Sequence, residues 1–275
     1  MSEQLENAIW AKIKLARHPK RPTSQTVIPL LIDGFVELFG DREYGDDHAF
    51  ITGIGFFDGM PITIIAQEKG LTTEERIYRN FGMPHPEGYR KALRSMKQAE
   101  KFHRPILVLI DTPGAYPGIG AEERGQAQAI ARNLFEMISI KTPIIAFVLS
   151  EGGSGGALAI GIADRVYMLE NSIYSVLSPE GFASILFKDS TLAKKAAAMM
   201  KLTADDLHAF NIIDGKIKED INGFHENIDL TIKHMHQVIK KELRHLQKLD
   251  GTTLLEQRYQ KYRKMGAYQD GRPII

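Results

Sequence analysis

The stretch Pro143-Ile-Ile-Ala-Phe-Val-Leu-Ser-Glu-Gly-Gly-Ser-Gly-Gly-Ala-Leu-Ala-Ile-Gly-Ile-Ala163 decides the fold of this chain. It begins with an apolar run at residues 143–149, passes through a glycine-rich turn at 151–156 and enters a helical pattern at 157–163. An apolar run without polar alternation is typical of a strand that is covered on both faces. The stretch therefore predicts a buried parallel strand that turns directly into a helix.

The same pattern occurs once before along the chain. Residues 105–110 form an apolar run, residues 111–120 a turn rich in glycine and proline, and residues 121–138 a helix. Further upstream, runs at 49–57 and 61–67 flank Asp58-Gly-Met60 and predict a hairpin, and residues 87–102 predict an amphipathic helix. Short strands are predicted at 165–169 and 172–177. Repeated strand–turn–helix units indicate an α/β fold.

Both ends of the chain have mainly helical patterns. Residues 3–16 and 27–39 predict two helices, the second ending at Gly40, and the C-terminal helices are predicted at 228–249 and 253–264, followed by a loose tail at 268–275. The run Arg17-His-Pro-Lys-Arg-Pro22 interrupts the N-terminal helices with two prolines. It is interpreted as a solvated loop in preference to a phosphate site. We expect a single domain over 1–275, with a helical N-terminal arm at 1–40, a core at 41–220 and a helical C-terminal arm at 221–275.

Composition excludes several classes of function. The chain has 275 residues, 35 basic and 34 acidic, and a formal net charge of +1, so no global field attracts nucleic acid or anionic membrane. The absence of cysteine excludes disulfides, thiolate zinc sites and a cysteine nucleophile. We expect no bound metal, because His234 and His236 are two apart on a predicted helix and face different sides. We expect no signal peptide in 1–10, no membrane span, since spans need roughly 20 apolar residues, and a cytoplasmic location.

The turn Glu151-Gly-Gly-Ser-Gly-Gly-Ala157 carries the strongest indication of chemistry. Glycines allow close approach of a ligand to backbone N–H groups, and a helix start leaves such groups unpaired, so the turn is suited to an anion or a developing oxyanion. A dinucleotide fingerprint fails because Leu158 stands at the third glycine position, and a P-loop fails because Ala157 replaces lysine.

A serine hydrolase remains an alternative. The residues Gly152 to Gly156 satisfy the Gly-x-Ser-x-Gly nucleophile elbow, with Ser154 as the nucleophile. No flanking pattern selects a base or an orienting acid. The nominees are His208, His225, Asp164, Asp205 and Asp206.

The second turn, Asp111-Thr-Pro-Gly-Ala-Tyr-Pro-Gly-Ile-Gly-Ala-Glu-Glu-Arg-Gly125, is rigid and open because of its prolines and glycines. Loops of this kind at the ends of buried strands are where α/β proteins bind ligands. Acid–base roles for Asp111, Glu122 and Glu123 are conceivable. The two glutamates are more simply explained as first-turn helix residues that the helix dipole favours.

Taken together, several motifs resemble the alpha subunit of the acetyl-CoA carboxylase carboxyltransferase, over roughly residues 15–268. The motifs are Leu15-Ala-Arg-His-Pro19, Arg79-Asn-Phe-Gly-Met-Pro84, Pro86-Glu-Gly-Tyr-Arg-Lys-Ala-Leu93, Asp111-Thr-Pro-Gly-Ala-Tyr-Pro-Gly118, Ala121-Glu-Glu-Arg-Gly-Gln126, Glu151-Gly-Gly-Ser-Gly-Gly-Ala-Leu-Ala-Ile160 and Tyr174-Ser-Val-Leu-Ser-Pro-Glu-Gly181. One departure is the N-terminal arm, since only about one helix precedes the first motif, where many family members have a longer arm.

The resemblance implies a crotonase-like fold of ββα units wound into a superhelix. It also implies transfer of a carboxyl group from carboxybiotin to acetyl-CoA, giving malonyl-CoA for fatty acid synthesis, without a catalytic side chain in this subunit. Two oxygens gain negative charge on that path, one on biotin and one on the thioester. By similarity, the N–H groups of Gly155 and Gly156 form the hole for the biotin ureido oxygen, and a separate beta subunit forms the other. The expected substrate-binding residues are Gly114, Ala115, Tyr116, Gly152 and Gly153.

The partners implied are the carboxyltransferase beta subunit in an alpha2beta2 assembly, the biotin carboxyl carrier protein and biotin carboxylase, with biotin held by the carrier. Zinc in this family belongs to the beta subunit. A third reading is a non-catalytic scaffold or RNA-binding subunit that only shares the fold. The near-neutral charge disfavours RNA as the main partner, although the basic C-terminal helices leave local binding open.

Overall fold

One mixed sheet organises the chain, for which a computed structural model describes residues 2–269 and 272–274. The sheet has the strand order β1-β2-β3-β4-β5-β6-β8, with β7 paired to β5. Two 3₁₀ turns lie at Asn80–Gly82 and Ser190–Leu192. The helices and strands are α1 (Glu3–Ala16), α2 (Ser24–Leu31), β1 (Asp33–Glu37), β2 (Phe50–Phe57), β3 (Met60–Gln67), α3 (Thr73–Tyr78), α4 (Pro86–Lys101), β4 (Ile106–Thr112), α5 (Ile119–Glu123), α6 (Gln126–Met137), β5 (Ile144–Gly153), α7 (Ser154–Leu158), β6 (Arg165–Leu169), β7 (Ile173–Ser175), α8 (Pro179–Phe187), α9 (Ala193–Met200), α10 (Ala204–Ala209), β8 (Gly215–Ile217), α11 (Ile228–Leu246), α12 (Gly251–Arg263), β9 (Ala267–Gln269) and β10 (Arg272–Ile274).

The sheet is antiparallel at one edge and parallel through its centre. Strands β1, β2 and β3 pair antiparallel, and β2 and β3 form the predicted hairpin with Phe57 opposite Met60. From β3 onward the pairs β3–β4, β4–β5, β5–β6 and β6–β8 are parallel. Parallel neighbours place the ends of β4 and β5 side by side, and Thr112 pairs with Gly152. This register brings the two glycine-rich turns to the same edge of the sheet.

The central strands are buried on both faces, as their uninterrupted apolar runs predict. Every residue of β4 is buried. Alternate β4 side chains enter two cores: Ile106, Val108 and Ile110 pack with α4 and α6, whereas Leu107 and Leu109 pack with α2 and α11. Two covered faces are the arrangement expected of a parallel sheet in an α/β protein. The α/β class is confirmed.

The predicted helix at residues 27–39 is wrong in its second half. Helix α2 ends at Leu31, and Asp33–Glu37 forms the edge strand β1 against β2. Gly34 has φ +58°, a conformation that interrupts a helix and that glycine adopts without steric cost. The residues after it gain more from pairing with β2 than from continuing a helix. The predicted helix at 121–138 is likewise divided into α5 and α6, at Gly125 with φ +83°.

The predicted arms are packed elements of the fold. The segment 1–40 contributes strand β1 to the sheet, so it is not wholly helical. The C-terminal helices α11 and α12 cover one face of the sheet through side chains such as Met235, Ile239 and Leu254. Strands β9 and β10 pair with each other in the region predicted as a loose tail. The division of the chain at residues 40 and 220 stays a prediction.

Among the helices of the described residues, none is both long enough and apolar enough to cross a membrane.

Candidate active site

The glycine-rich turn after β5 is tighter than the sequence predicts. Strand β5 extends to Gly153, and helix α7 begins at the next residue, Ser154. Ser154 has φ +52°, which L side chains rarely adopt, so the chain reverses direction in a single strained residue. The first turn of a helix has N–H groups without intrahelical acceptors, and the N-cap residue Gly153 has no side chain to accept them. The N–H groups of Gly155 and Gly156 belong to this first turn.

The turn after β5 lies directly against the turn after β4. A Cβ atom added to Gly156 would lie 2.6 Å from the amide nitrogen of Ala115 and 2.7 Å from the carbonyl carbon of Gly114. A Cβ atom on Gly153 would overlap the carbonyl group of Pro113. Glycine is required at both positions because backbone meets backbone there. The predicted site residues Gly114, Ala115, Gly153 and Gly156 are therefore neighbours in space.

The loop before α4 holds the turn after β4 in place. Thr112 Oγ1 lies 2.6 Å from the carbonyl oxygen of Gly82 and accepts a hydrogen bond from the amide of Gly114 at 3.0 Å. The amide of Tyr116 donates to the carbonyl of Pro84 at 3.0 Å. The Tyr116 ring stacks on His85 with centroids 4.2 Å apart. Tyr116 is thus anchored on this loop, while Gly152 fits against the ring of Tyr174 on β7.

Arg17 connects three of the motifs that carry the resemblance. Its Nε atom lies 2.7 Å from Glu151 at the end of β5, and its Nη1 atom lies 2.7 Å from Glu180 in the first turn of α8. Burial lowers the pKa of Arg17, but the two carboxylates outweigh burial and the net shift is upward. Burial acts to raise the pKa of Glu180, yet Arg17 holds it below its usual value. The raised pKa of Arg17 and the lowered pKa of Glu180 both favour the charged forms of this pair.

The basic run around Arg17 is only partly a solvated loop, with Pro19 and Lys20 exposed. Arg21 is 1% exposed and binds Glu219 through two guanidinium nitrogens, while it also donates to the carbonyl of Leu149. Since Arg17 and Arg21 both have internal carboxylate partners, the run ties the N-terminal segment to β5. The interpretation as a solvated loop is wrong for Arg17 and Arg21, because both side chains bind groups that the fold brings to them from more than 120 residues away along the chain.

The carboxylates of the turn after β4 differ in their surroundings. Asp111 is fully buried, with Lys69 Nζ at 2.9 Å and Ser150 Oγ at 3.1 Å, so it supports the turn from beneath. Glu122 and Glu123 are exposed in the short helix α5. Their placement is that of ordinary helix residues, the simpler of the two explanations.

A large apolar cavity opens beside the start of α7. Its volume is about 820 Å³, and Ser154 and Gly155 form part of its wall. Burial raises the pKa of Tyr174 in this wall to about 12. Sequence reasoning missed the cavity, although Tyr174 stands in one of the motifs. Other lining residues are Leu158, Phe182, Met199, Leu207 and Phe210.

The serine hydrolase alternative has no base in place. Within the described residues the hydroxyl of Ser154 forms no hydrogen bond, to histidine or otherwise. His225 stacks on His18 at a centroid distance of 3.7 Å, and His208 lies in the last turn of α10. The acidic nominees have other partners: Asp164 binds Arg258, Asp205 binds Lys12 and Lys216, and Asp206 belongs to the capping box of α10.

The histidines give no metal centre among residues 2–269 and 272–274, where no group of three or more candidate ligands occurs. His234 Nδ1 lies 3.1 Å from the carbonyl of Lys218, and His236 Nε2 lies 2.8 Å from Asp58. The two side chains have separate partners on different elements.

Known proteins resemble the chain over nearly its full length. The sequence profile of the family described as acetyl co-enzyme A carboxylase carboxyltransferase-like matches residues 2–266. The acetyl-coenzyme A carboxylase carboxyl transferase subunit alpha of Alkaliphilus oremlandii is 60% identical over 260 residues, 94% of this chain and 82% of the relative. The protein of the same name from Geobacillus sp. is 53% identical over 99% of this chain and 86% of its own length.

Solved structures share the fold at low sequence identity. The transcarboxylase 12S structure matches with a TM-score of 0.62 and 20% identity, over 81% of this chain and 44% of that one. The beta subunit of geranyl-CoA carboxylase from P. aeruginosa matches with a TM-score of 0.63 and 15% identity, over 91% of this chain and 45% of that one. This chain spans less than half of each of these proteins. The predicted crotonase-like fold is confirmed. On the evidence of the profile and of relatives matched over most of their length, the chain belongs to the family of acetyl-coenzyme A carboxylase carboxyltransferase alpha subunits.

Proposed function

We propose that this chain is the alpha half of a biotin-dependent carboxyltransferase that carboxylates acetyl-CoA to malonyl-CoA. The observation that carries the proposal is the junction of the two glycine-rich turns, where α7 starts directly after β5 and packs on the backbone of Gly114 and Ala115. The relatives named acetyl-coenzyme A carboxylase carboxyl transferase subunit alpha support the same activity.

The residues of the junction suit a biotin ring. Gly155 adjoins an apolar cavity of about 820 Å³, wide enough for an uncharged bicyclic ring, and the side chains around it are mainly apolar. When bound, biotin supplies the carboxyl group and a ureido oxygen on which negative charge develops. We assign the N–H groups of Gly155 and Gly156 to that oxygen, because preorganised backbone donors stabilise developing charge. We also propose that substrate contacts Gly114, Ala115, Tyr116, Gly152 and Gly153, a proposal that the packing of Gly114 and Ala115 against Gly156 supports.

The chain itself moves no proton in this scheme. Ser154 has no base within hydrogen-bonding distance among the described residues, and Asp111 is buried in a pair with Lys69. The role of the chain is to bind, orient and stabilise charge, with water kept out by the apolar wall. Losing one oxyanion-hole donor typically costs about 10²–10³ in kcat, so a fixed backbone turn is sufficient to matter.

The proposal includes partners that complete the site. A separate beta subunit, in an alpha2beta2 assembly, would bind acetyl-CoA and stabilise the thioester oxygen, and a carrier protein loaded by biotin carboxylase would deliver biotin. Exposed apolar side chains near the cavity support a partner surface, since such patches mark interaction sites. They are Val176 (75% exposed), Ile185 (60%), Leu186 (48%) and Phe210 (55%).

Two further parts of the proposal concern metal and location. We expect no metal on this chain, and stoichiometric zinc in the purified chain, measured by elemental analysis, would contradict this. We also propose a cytoplasmic location, as membership of the family implies. No nucleic acid is needed in the scheme.

A reconstituted assay tests the function. The chain, a beta subunit and a carboxylated biotin donor are mixed with acetyl-CoA, and malonyl-CoA is quantified. We expect turnover only when both subunits are present, because positioning of two substrates is shared between them. Malonyl-CoA formation by this chain alone would overturn the split site. Labelling of Ser154 by a fluorophosphonate probe would instead support the hydrolase.

A further inference from the structure

Gln67 contacts the glycine-rich turn after β5 from the end of β3, which lies two strands away from β5 in the sheet. It is the last residue of β3 and is fully buried. Its side-chain Nε2 donates a hydrogen bond of 2.8 Å to the carbonyl oxygen of Gly156, 89 residues further along the chain. Its own backbone carbonyl accepts a bond of 2.7 Å from Ser24 Oγ. Both ends of the residue are therefore fixed, and the side chain connects β3 with α7.

The other end of the Gln67 amide is left without a partner. Within the described residues, Gln67 Oε1 is buried and accepts no hydrogen bond. A buried acceptor without a donor is unfavourable, and an apolar side chain of similar size would avoid that cost. The benefit of glutamine at this position must therefore come from its donor, and the only donor bond it forms in the described chain is to Gly156.

The start of α7 needs an external restraint. The helix has five residues, too few for its own hydrogen bonds to make it rigid, and three of its first four positions from the N-cap are glycine. The backbone of Gly114 and Ala115 restrains Gly156 on its Cα side. The Gly156 carbonyl belongs to the next peptide, between Gly156 and Ala157. Gln67 Nε2 binds this carbonyl and so restrains the backbone on the other side of the Gly156 Cα.

We propose that Gln67 is a positioning residue for the carboxyl transfer: by holding the Gly156 carbonyl it fixes the backbone rotation about Gly156, so that the preceding N–H groups, on Gly155 and Gly156, stay aimed at the developing oxyanion. Gln67 does not touch substrate and acts only through the backbone. The inference rests on the proposed function of Gly155 and Gly156. Its consequence is kinetic, because misdirected donors weaken binding of the transition state more than binding of acetyl-CoA.

The first experiment compares Gln67→Leu with a matched control in the assembled complex. The control is Asn133 on α6, a buried side-chain amide with the same bonding pattern as Gln67. It is 1% exposed, its Nδ2 donates to the carbonyl of Tyr89 at 3.1 Å, and its Oδ1 has no partner among the described residues. We expect Gln67→Leu to lower kcat on the order of 10- to 100-fold with KM for acetyl-CoA unchanged. Asn133→Leu should lose thermal stability to a similar extent or more but keep kcat.

A second variant separates positioning from folding. Gln67→Glu can donate to the Gly156 carbonyl only as the protonated acid, and burial raises the pKa of such a group. Its kcat should approach the wild-type value at low pH and fall as the pH rises, whereas the kcat of Gln67→Leu should keep the shape of the wild-type pH profile. Thermal unfolding at each pH confirms that the complex is intact.

Four outcomes are decisive. If wild-type complex makes no malonyl-CoA, the proposed function fails. If the wild type is active and Gln67→Leu keeps its full kcat, the positioning role alone fails. If Asn133→Leu loses kcat as much as Gln67→Leu, or if Gln67→Glu has the pH profile of the wild type, the effect is general to buried amides and the inference is overturned.

Discussion

Replacing Gly156 with alanine is expected to force the two glycine-rich turns apart. The added Cβ atom would lie 2.6 Å from the amide nitrogen of Ala115, about 0.8 Å short of the 3.4 Å at which ordinary contact begins. The opposing atoms are backbone at the ends of paired strands, so no side chain can turn away to make room. One of the two turns must move.

The cost of that movement can be given an order of magnitude. Overpacking a well-packed interior typically costs about 1–3 kcal/mol, and a rigid backbone neighbour places Gly156→Ala near the upper value. At about 2–4 °C per kcal/mol, the melting temperature should fall by about 6–12 °C. If the proposed backbone donors act in catalysis, a displacement approaching 1 Å should lower kcat on the order of 100-fold in the complex.

Gly155→Ala is the matched control for this prediction. Its Cβ atom would meet nothing closer than Ile130 Cγ2 at 3.6 Å, an ordinary contact, and the amide donor is retained. The melting temperature should change by no more than about 2 °C, so Gly155→Ala serves as the control for stability. The assays are thermal unfolding of each purified chain and, for Gly156→Ala and the wild type, malonyl-CoA formation with the beta subunit. Wild-type stability and turnover for Gly156→Ala, or an equal loss of stability in both variants, would refute the close approach of the two turns.

Three other substitutions test separate parts of the structure. Ser154→Ala should keep most of the wild-type kcat, because the Ser154 hydroxyl has no partner in the described residues. A loss of kcat near the roughly 10⁶-fold that is typical of a missing serine nucleophile would instead support the serine hydrolase alternative. Arg17→Lys should lower the melting temperature by a few degrees, because one ammonium group cannot replace the two guanidinium nitrogens that reach Glu151 and Glu180. The corresponding loss of stability is about 1 kcal/mol, since solvent screens the half-exposed Glu180. An unchanged melting temperature would show that these ion pairs do not stabilise the fold. Burial raises the pKa of Asp47 to about 6. Between about pH 4 and 6 the native state therefore binds one proton more than the unfolded state. As a result, the free energy of unfolding should fall by about 3 kcal/mol as the pH rises through that window. Asp47→Asn should remove this fall in urea titrations at pH 4 and pH 7, and parallel pH profiles for the two proteins would contradict the shift.

The central strands could be predicted from the sequence because burial on both faces requires apolar residues at consecutive positions. A strand that is covered on both sides consists of an unbroken apolar run, and β4 and β5 lie where such runs occur. The hairpin of β2 and β3 was predictable for a similar reason, since its turn residues stand between the two runs. Strand β1 was not predictable in this way. Its residues follow a helical pattern, and only the neighbouring β2 makes the extended conformation favourable.

The position of the glycine-rich turns was also determined by the sequence. Glycine at positions such as 153 and 156 is required by a close backbone approach, and this requirement appears in the sequence whether or not the opposing segment is known. The sequence therefore located the backbone donors proposed for the site, and the motifs around them identified the family. Their role in binding the oxyanion stays a prediction.

Only the tertiary structure decided what surrounds those donors. Gln67 lies 89 residues from Gly156 along the chain, and Arg17 lies 163 residues from Glu180. The sequence around Gln67 or Arg17 does not indicate which residue is its partner. The apolar cavity likewise combines residues from α7 through α12. Local periodicity records whether a residue is buried, but the order of strands in the sheet determines which buried residues meet. That order depends on packing of the whole chain, so these contacts became visible only in the folded protein.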